Sequence, residues 1–420
     1  MRVLPWILAL VAAGLLPAGA VASAGAWSAP GTLAPAGAGP APAVAVGGRE
    51  GRLAALFVMR TARGDRLELR QGTHRGLGQA IVVDRAARDG LDSPAVVVTD
   101  LRTLTAWRRP GRRARVIGFA SVSRAGVPNA PQLMTGSPTA YEPRFVTPSL
   151  VTWHIRRQGY VRTIASGRPL ETDRLPAGAA FGAVAAVDSD GTLVVAWPQD
   201  GRMLAAQRPA GGAFGAPVVL SSGPGYARSP ALATTASGSV VAAWVQNAGD
   251  GNALLTAARP RGGAFGAPRE VVAAAAGACS PRVVATSDGG VVATCVATGS
   301  RAGWGSRSGS LHALALGPDG APVGTDISLG APGERVRDAA LGADASAAWV
   351  AWTETAPGPD PVHVRRLAPG GILGALRTVS GRDDAAPATP SLAMTRSGRA
   401  LLAYATRDGR LRYVTRGAGL

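Results

Sequence analysis

The sequence contains no lysine, and it has few cysteines, histidines and aromatic residues. All 44 basic residues are arginines, and against 26 acidic residues they give a net charge of +18. A phosphate-binding loop that ends in Gly-Lys is therefore excluded. No Gly-x-Ser-x-Gly motif stands in the strand–turn–helix context of a hydrolase nucleophile. The histidines lie far apart, and none has other ligands at metal-site spacing, so we expect no metal and no cofactor. They are His74, His154, His312 and His363.

Turn-forming residues are abundant by contrast. The 420 residues include 57 glycines and 32 prolines, and 46% of the chain is apolar. This apolar content is higher than that of a disordered chain. The many glycines and prolines disfavour a mostly helical protein. We therefore expect a large all-β protein with frequent turns.

The first residues have the layout of a secretory signal peptide. After Met1-Arg2, an apolar stretch runs from Val3 to Leu16 and is followed by small residues with Ala-x-Ala cleavage patterns. A membrane anchor is the alternative, but a bilayer requires roughly 20 apolar residues. We predict a signal peptide over residues 1–25, and a secreted, soluble and monomeric domain over residues 26–420 without a membrane span.

The two cysteines are Cys279 and Cys295. An even number of cysteines in an exported protein favours a disulfide bond. The residues between them read as two strands joined by a turn near Ser287 to Gly289, which places the cysteines roughly opposite each other at a separation that a disulfide can bridge. Two separate buried thiols are the alternative.

An internal repeat organises the rest of the chain. The segment GGAFGAP occurs at Gly211 to Pro217 and again at Gly262 to Pro268, inside a longer unit that reads as four short strands. The second strand of nearly every unit ends on a large residue, at intervals of 44 to 57 residues, and many first strands contain an aligned proline. These second-strand residues are Phe57, Trp107, Trp153, Trp197, Trp244, Cys295, Trp352 and Tyr404.

Eight four-stranded units with a period of about 40–50 residues predict a single β-propeller with eight blades. Seven blades are the alternative, with the weakest unit, residues 141–177, as an irregular excursion. The last unit has no fourth strand of its own, whereas Ala26 to Leu33 matches the fourth strand Ala213 to Leu220. We therefore predict that residues 26–34 pair with residues 410–415 and close the ring.

The repeat pattern resembles the secreted sialidase-like (BNR-type) β-propeller repeat proteins over about residues 26–420. The enzymes of that class carry Asp-boxes of the form Ser-x-Asp-x-Gly-x-x-Trp. Ser189-Asp190-Gly191 and Ser287-Asp288-Gly289 look similar, but their spacing to tryptophan differs. We interpret them as hairpin turns, in which Asp-Gly readily adopts positive φ. The arginine triad and the nucleophilic tyrosine of sialidases have no assignable counterpart.

Arginines cluster after the second strands, on one face of the predicted propeller. Guanidinium groups bind carboxylate, sulfate or phosphate through paired hydrogen bonds, so this face is a candidate site for an anionic ligand. General solubility of a lysine-free protein is the other explanation of the same charges. The candidate ligand-binding residues are Arg108, Arg109, Arg112, Arg113, Arg156, Arg157, Arg301, Trp304 and Arg307.

Two functional classes remain open. The first is a non-catalytic protein that binds an anionic extracellular ligand or acts as a scaffold, and the second is a glycan-active enzyme, either a sialidase-like hydrolase or a lyase. No catalytic constellation is recognisable, which favours the first class. We expect no nucleic-acid partner, because no nucleic-acid-binding module is recognisable. Carboxylates clustered with tyrosine or histidine near the central channel would favour the enzyme.

Overall fold

The computed structural model describes residues 25–35, 44–111, 114–134, 140–156, 158–165, 168–179, 182–221, 223, 225–247, 251–272, 281–297, 309–330, 335–355, 360–380 and 389–418. These residues form 34 strands in eight antiparallel sheets, together with one 3-10 turn at Pro369–Gly371. Within this part of the chain, the structure has no helix with the length and hydrophobicity to cross a lipid bilayer.

Blades 1 to 4 follow one another along the chain. After the N-terminal strand β1 (Gly31–Ala34), blade 1 contains β2 (Val44–Arg49), β3 (Arg52–Thr61), β4 (Gly64–Thr73), β5 (Gly76–Leu77) and β6 (Ile81–Ala86). Blade 2 contains β7 (Asp92–Val98), β8 (Arg102–Pro110), β9 (Arg115–Ser123) and β10 (Gln132–Leu133). Blade 3 contains β11 (Ala140–Thr147), β12 (Leu150–Ile155), β13 (Gln158–Ala165) and β14 (Arg168–Arg174), and blade 4 contains β15 (Val184–Val187), β16 (Leu193–Gln199), β17 (Arg202–Arg208) and β18 (Val218–Val219).

Blades 5 to 8 repeat this order. Blade 5 contains β19 (Ala227–Thr234), β20 (Val240–Asn247), β21 (Asn252–Arg259) and β22 (Arg269–Val272). Blade 6 contains β23 (Arg282–Ala285), β24 (Val291–Ala297), β25 (Ser310–Leu316) and β26 (Ile327–Ser328). Blade 7 contains β27 (Val336–Ala343), β28 (Ala348–Glu354), β29 (Val362–Ala368), β30 (Ile372–Leu373) and β31 (Arg377–Thr378), and blade 8 contains β32 (Ser391–Met394), β33 (Ala400–Ala405), β34 (Leu411–Arg416) and the N-terminal β1.

The first strands of the blades form the inner ring. Each of them contacts the first strand of the next blade, and β32 contacts β2, so the ring is closed. All first strands run in the same direction because every blade has the same topology. Their starts therefore share one face with the ends of the second strands, which we call the upper face. The turns between first and second strands lie on the opposite, lower face.

The large residues at the ends of the second strands build the core between blades. All eight are buried, and each packs in a cluster shared with the preceding blade. Trp107 of blade 2, for example, packs against Leu56 and Val58 of blade 1, and its indole N–H donates to the Asp84 carboxylate at 2.8 Å. These residues are therefore part of the core between blades.

The prediction of an eight-bladed propeller closed by the N-terminal strand is confirmed. Strand β1 pairs antiparallel with β34, with Gly31 opposite Tyr413, and Trp27 forms a further bridge with Arg416. The seven-blade alternative is wrong, because β11 to β14 form a complete blade in the region of the weakest repeat. Strand β1 covers the outer edge of β34, which would otherwise be open to pairing with another chain.

The aligned prolines of the first strands mark bulges near the upper face. Ser93, Glu142 and Ser229 each precede a proline and have positive φ values of 48°, 45° and 52°. The register of strand pairing shifts at each of these places. A bulge bends a strand and redirects the adjacent side chains, so these segments determine where neighbouring polar residues point.

The two Asp-box-like segments are hairpin turns, as predicted. Gly191 and Gly289 have φ values of 79° and 87°, in the left-handed region that glycine adopts without strain. Both turns connect a first strand to a second strand on the lower face. The predicted signal peptide lies almost entirely outside the described residues, as does Cys279. Cys295 is buried on β24, and the disulfide remains a prediction.

Candidate functional site

The structure describes three of the nine predicted ligand-binding residues. Arg108 and Arg109 lie at the end of β8 and not in a loop, because β8 continues to Pro110. Arg156 lies in the turn between β12 and β13. The other six lie outside the described residues, and their role stays a prediction: they are Arg112, Arg113, Arg157, Arg301, Trp304 and Arg307.

Arg108 is part of an ion-pair network within blade 2. Its Nε and Nη2 donate to the two carboxylate oxygens of Asp92 at 2.5 and 2.6 Å, and Arg115 donates to the same carboxylate at 2.7 Å. The hydrogen bond with Asp92 raises the pKa of Arg108. The guanidinium also lies 5.2 Å from the centre of the Tyr141 ring in blade 3. Arg108 therefore joins two blades, and a ligand would have to compete with Asp92 for it.

Arg109 contacts a more deeply buried carboxylate. Its Nη1 lies 3.1 Å from Oδ2 of Asp84, the oxygen that also accepts the indole N–H of Trp107. Only 26% of the Arg109 side chain is exposed. Arg156, by contrast, is exposed and has a positive φ of 53°. Of these three arginines, Arg156 is the most accessible to a ligand.

A second group of arginines lies nearer the central axis, which the loop-based prediction missed. These residues lie in or next to the first strands of blades 3, 5, 6 and 7. Arg228 and Arg282 are within the first two residues of β19 and β23, Arg335 directly precedes β27, and Arg144 is the fifth residue of β11. Because first strands form the inner ring, the backbones of these four residues lie nearest the central axis. We call them the inner-ring arginines: Arg144, Arg228, Arg282 and Arg335.

The sequence carries a signal for this group. Arg144 and Arg282 directly follow an aligned proline, and Arg228 stands two residues before one. Their recurrence at the first strand of the repeat, rather than in the loops, is what indicates the inner ring. Three of the four are exposed, and Arg228 is half-buried.

The inner-ring arginines are held in defined positions. Arg144 donates to Glu142 at 2.9 Å, and Arg228 donates to the neutral amide oxygen of Asn252 at 3.1 Å. Arg282 opens β23 opposite Thr294. The carbonyl of Arg335 accepts hydrogen bonds from both the backbone N–H and the hydroxyl of Thr355. Strand pairing and backbone hydrogen bonds thus fix the backbone position from which each arginine side chain extends.

Tyr141 and His154 stack beside this group in blade 3. Their ring centres are 5.2 Å apart and the planes are inclined by 12°. Burial lowers the pKa of His154, and the nearby Arg144 and Arg108 add to the effect, whereas Glu142 opposes it. His154 lies at a cleft between blades 3 and 4 that is also lined by Glu142 and Arg144. The imidazole is therefore neutral at physiological pH.

The upper face carries both signs of charge, because Arg108 and Arg144 are paired with Asp92 and Glu142. Among the described residues, no three His, Cys, Asp or Glu side chains come together as a group that could hold a metal ion.

Comparison with known proteins supports the fold alone. No protein-family model and no curated protein sequence matches the chain. Among solved structures, the Dos1 propeller superposes with a TM-score of 0.57 at 9% identity, over 93% of this chain and 95% of that one. A virginiamycin B lyase from Staphylococcus aureus, with quinupristin, gives a TM-score of 0.49 at 11% identity, over 78% and 94%. NanB sialidase from Streptococcus pneumoniae gives 0.42 at 9%, over 76% and 67%. The similarity to the Dos1 propeller shows the propeller fold and nothing beyond it.

Proposed function

We propose that the protein binds an anionic ligand at the upper face and catalyses no reaction. The observation that carries this proposal is the presence of four arginines in or next to the first strands of the inner ring, three of them exposed. Arginine forms paired hydrogen bonds with carboxylate, sulfate and phosphate groups. Arg156, an exposed arginine in the turn between β12 and β13, adds to this positive charge.

The proposal also includes the location of the protein outside the cell. The N-terminal segment favours export through a signal peptide over residues 1–25, followed by a soluble extracellular domain that binds or scaffolds. The repeat pattern that resembles secreted sialidase-like propellers fits this setting. Propellers serve both binding proteins and enzymes, so the fold by itself does not select between them.

Salt dependence and charge removal test the proposal together. Binding of heparin and polygalacturonate should weaken as salt rises and the Debye length falls from about 10 Å to about 3 Å. Arg282→Gln with Arg335→Gln should weaken it further, whereas Arg261→Gln on the lower face, which removes one exposed arginine as well, should not. If neither polymer binds, or if binding ignores both salt and the double substitution, the proposal is wrong.

A glycan-active enzyme is the second candidate, and one observation favours it. His154, with its lowered pKa, lies beside Tyr141 and Glu142 at a cleft on the upper face. A neutral imidazole can accept a proton, and a tyrosine hydroxyl can donate one. Turnover of an acidic glycan that is abolished in both His154→Gln and Tyr141→Phe would establish the enzyme and overturn the non-catalytic proposal.

A further inference from the structure

We propose that the ligand is an acidic polysaccharide that lies along blades 5, 6 and 7, with one sugar ring on Tyr226 and its acidic groups on Arg228, Arg282 and Arg335. This inference rests on the proposed function and specifies the class of ligand and its path. We call these four residues the arc.

The three arginines of the arc belong to three consecutive blades. Arg228 is the second residue of β19, Arg282 is the first residue of β23, and Arg335 directly precedes β27. The first strands β19, β23 and β27 contact one another in sequence around the ring. Because these strands are neighbours, one arginine occurs per blade along this part of the inner ring. Blade 4 interrupts the series, since β15 begins with Val184.

Tyr226 adds an exposed aromatic ring at one end of this series. It is 72% exposed, which is unusual for so large an apolar surface, and it stands two residues before Arg228. Its backbone is fixed, because its carbonyl accepts the N–H of Asn247 at 3.0 Å and the next N–H, that of Ala227, donates to Gly201 at 2.8 Å. An aromatic side chain held in this way presents an apolar face with a polar tip, and a sugar ring offers a complementary C–H face.

The energetics favour a chain over a small anion. An exposed pair of opposite charges contributes little, so an anion that contacts one arginine binds weakly. Linked anionic groups make the second and third contacts intramolecular, and their effective concentration raises the overall affinity without any new contact. A polymer with a negative charge on each unit can use the three arginines of the arc at once.

Two described acidic side chains of blade 7 have partners outside the arc. Glu354 at the end of β28 lies 3.4 Å from His363, and Asp360 is buried in a salt bridge with Arg407 at 3.0 Å. The arc is the part of the described inner ring where an exposed aromatic ring and arginines of successive blades adjoin.

The test compares oligogalacturonides of two, four and eight units with neutral malto-oligosaccharides of the same lengths. We expect affinity for the acidic series to rise at least tenfold from two to eight units, and the neutral series to bind at least tenfold more weakly. Arg228→Gln with Arg282→Gln and Arg335→Gln should remove the length dependence. Tyr226→Ala should weaken binding about three- to tenfold, whereas Arg261→Gln should have no effect. Thermal unfolding of each variant checks that it is folded.

The outcomes separate this inference from the function on which it rests. If the acidic series binds equally at all lengths, or if the length dependence survives the triple substitution, the inference is wrong and anion binding still stands. If polyphosphate or single-stranded DNA binds as tightly as the octamer and Tyr226→Ala has no effect, the ligand is not a polysaccharide. If no anion binds at all, the proposed function itself fails.

Discussion

Arg259 and Asp188 form a salt bridge across the boundary between blades 4 and 5, with 2.8 Å between Nη1 and Oδ2. Only 2% and 0% of the two side chains are exposed. The Nε of Arg259 also donates to Gln207 at 2.7 Å, and Asp188 accepts the backbone N–H groups of Asp190 and Thr192. Every charge in this contact therefore has a partner, which is the condition under which a buried ion pair is tolerated.

We expect Arg259→Met to lower the free energy of unfolding by about 3–5 kcal/mol. The substitution leaves the buried carboxylate of Asp188 without its counter-charge, and that loss is far larger than the net value of the pair. Arg261→Met is the matched control, because Arg261 and Asp190 form an exposed pair nearby that contributes little to stability. Chemical denaturation measures both variants, and equal losses would contradict the assignment.

The closing strand should be essential for the stability of the whole ring. Leu33 of β1 is fully buried in the cluster between blades 8 and 1. We expect Leu33→Ala to cost about 2–5 kcal/mol, as is usual for a truncated core leucine. Thr32→Ala on the same strand removes an exposed side chain and should change stability by less than about 0.5 kcal/mol.

Deletion of residues 26–34 extends the closing-strand test. It should destabilise the protein more than Leu33→Ala does, because it exposes the edge of β34 and removes the pairing of Gly31 with Tyr413. Thermal unfolding measures the effect, and an unchanged melting temperature would rule out closure by this strand.

Two histidines should give stability a pH dependence of opposite sign. Burial lowers the pKa of His154 below 6.5, so the unfolded chain binds its proton more readily and stability falls as the pH drops through about 6.5 and below. The hydrogen bond with Asp326 raises the pKa of His312 above 6.5, so its contribution is fully present below that pH and is lost as the pH rises through the folded pKa.

Single substitutions separate the two histidines. Relative to the wild type between pH 5 and 8, His154→Gln should lose less stability on acidification, and His312→Gln should lose less on the alkaline side. Denaturation curves across this range provide the measurement. If both variants shift the pH profile in the same direction, one of the two assignments is wrong.

The cysteines should be joined in the exported protein. A bond between Cys279 and Cys295 would close a short loop, and the chain-entropy model gives about 3 kcal/mol for a loop of this size. Titration of denatured, unreduced protein should detect no thiol, and reduction should lower the melting temperature. Two titratable thiols before reduction would refute the bond.

The mature chain should begin near residues 23–27. The short apolar stretch and the Ala-x-Ala sites favour cleavage there, just before the closing strand. Mass spectrometry of the secreted protein identifies the first residue. Recovery of secreted protein that retains Met1 would contradict the prediction.

The repeat made the fold predictable from the sequence because each blade must bury the same strand in the same way. Trp107, Trp197 and Trp244 recur at one register since every second strand lies between two neighbouring blades. The closing strand was predictable for the same reason, since Ala26 to Leu33 repeats a fourth-strand pattern that the last blade lacks. Local pattern and global architecture agree at these positions.

The site was less predictable, because the sequence does not show which charges are already paired. Arg108 and Arg109 read as loop residues open to a ligand, but they continue β8 and contact Asp92 and Asp84. These carboxylates come from other strands, so only the assembled blades bring them within hydrogen-bonding distance. The prediction that these two arginines are accessible loop residues therefore did not include the carboxylates that the assembled strands bring to them.

By itself the sequence determined the four-stranded repeat, the strand order and the residues of the core, because those features follow from a repeated pattern of apolar and turn residues, and it favoured eight blades over seven. Only the tertiary structure decided which arginines lie on neighbouring strands of the inner ring. Arg228, Arg282 and Arg335 are about 50 residues apart along the chain, and the ring places them in or next to adjacent first strands. A local pattern specifies each blade, whereas the closure of eight blades into a circle specifies which of their ends become neighbours.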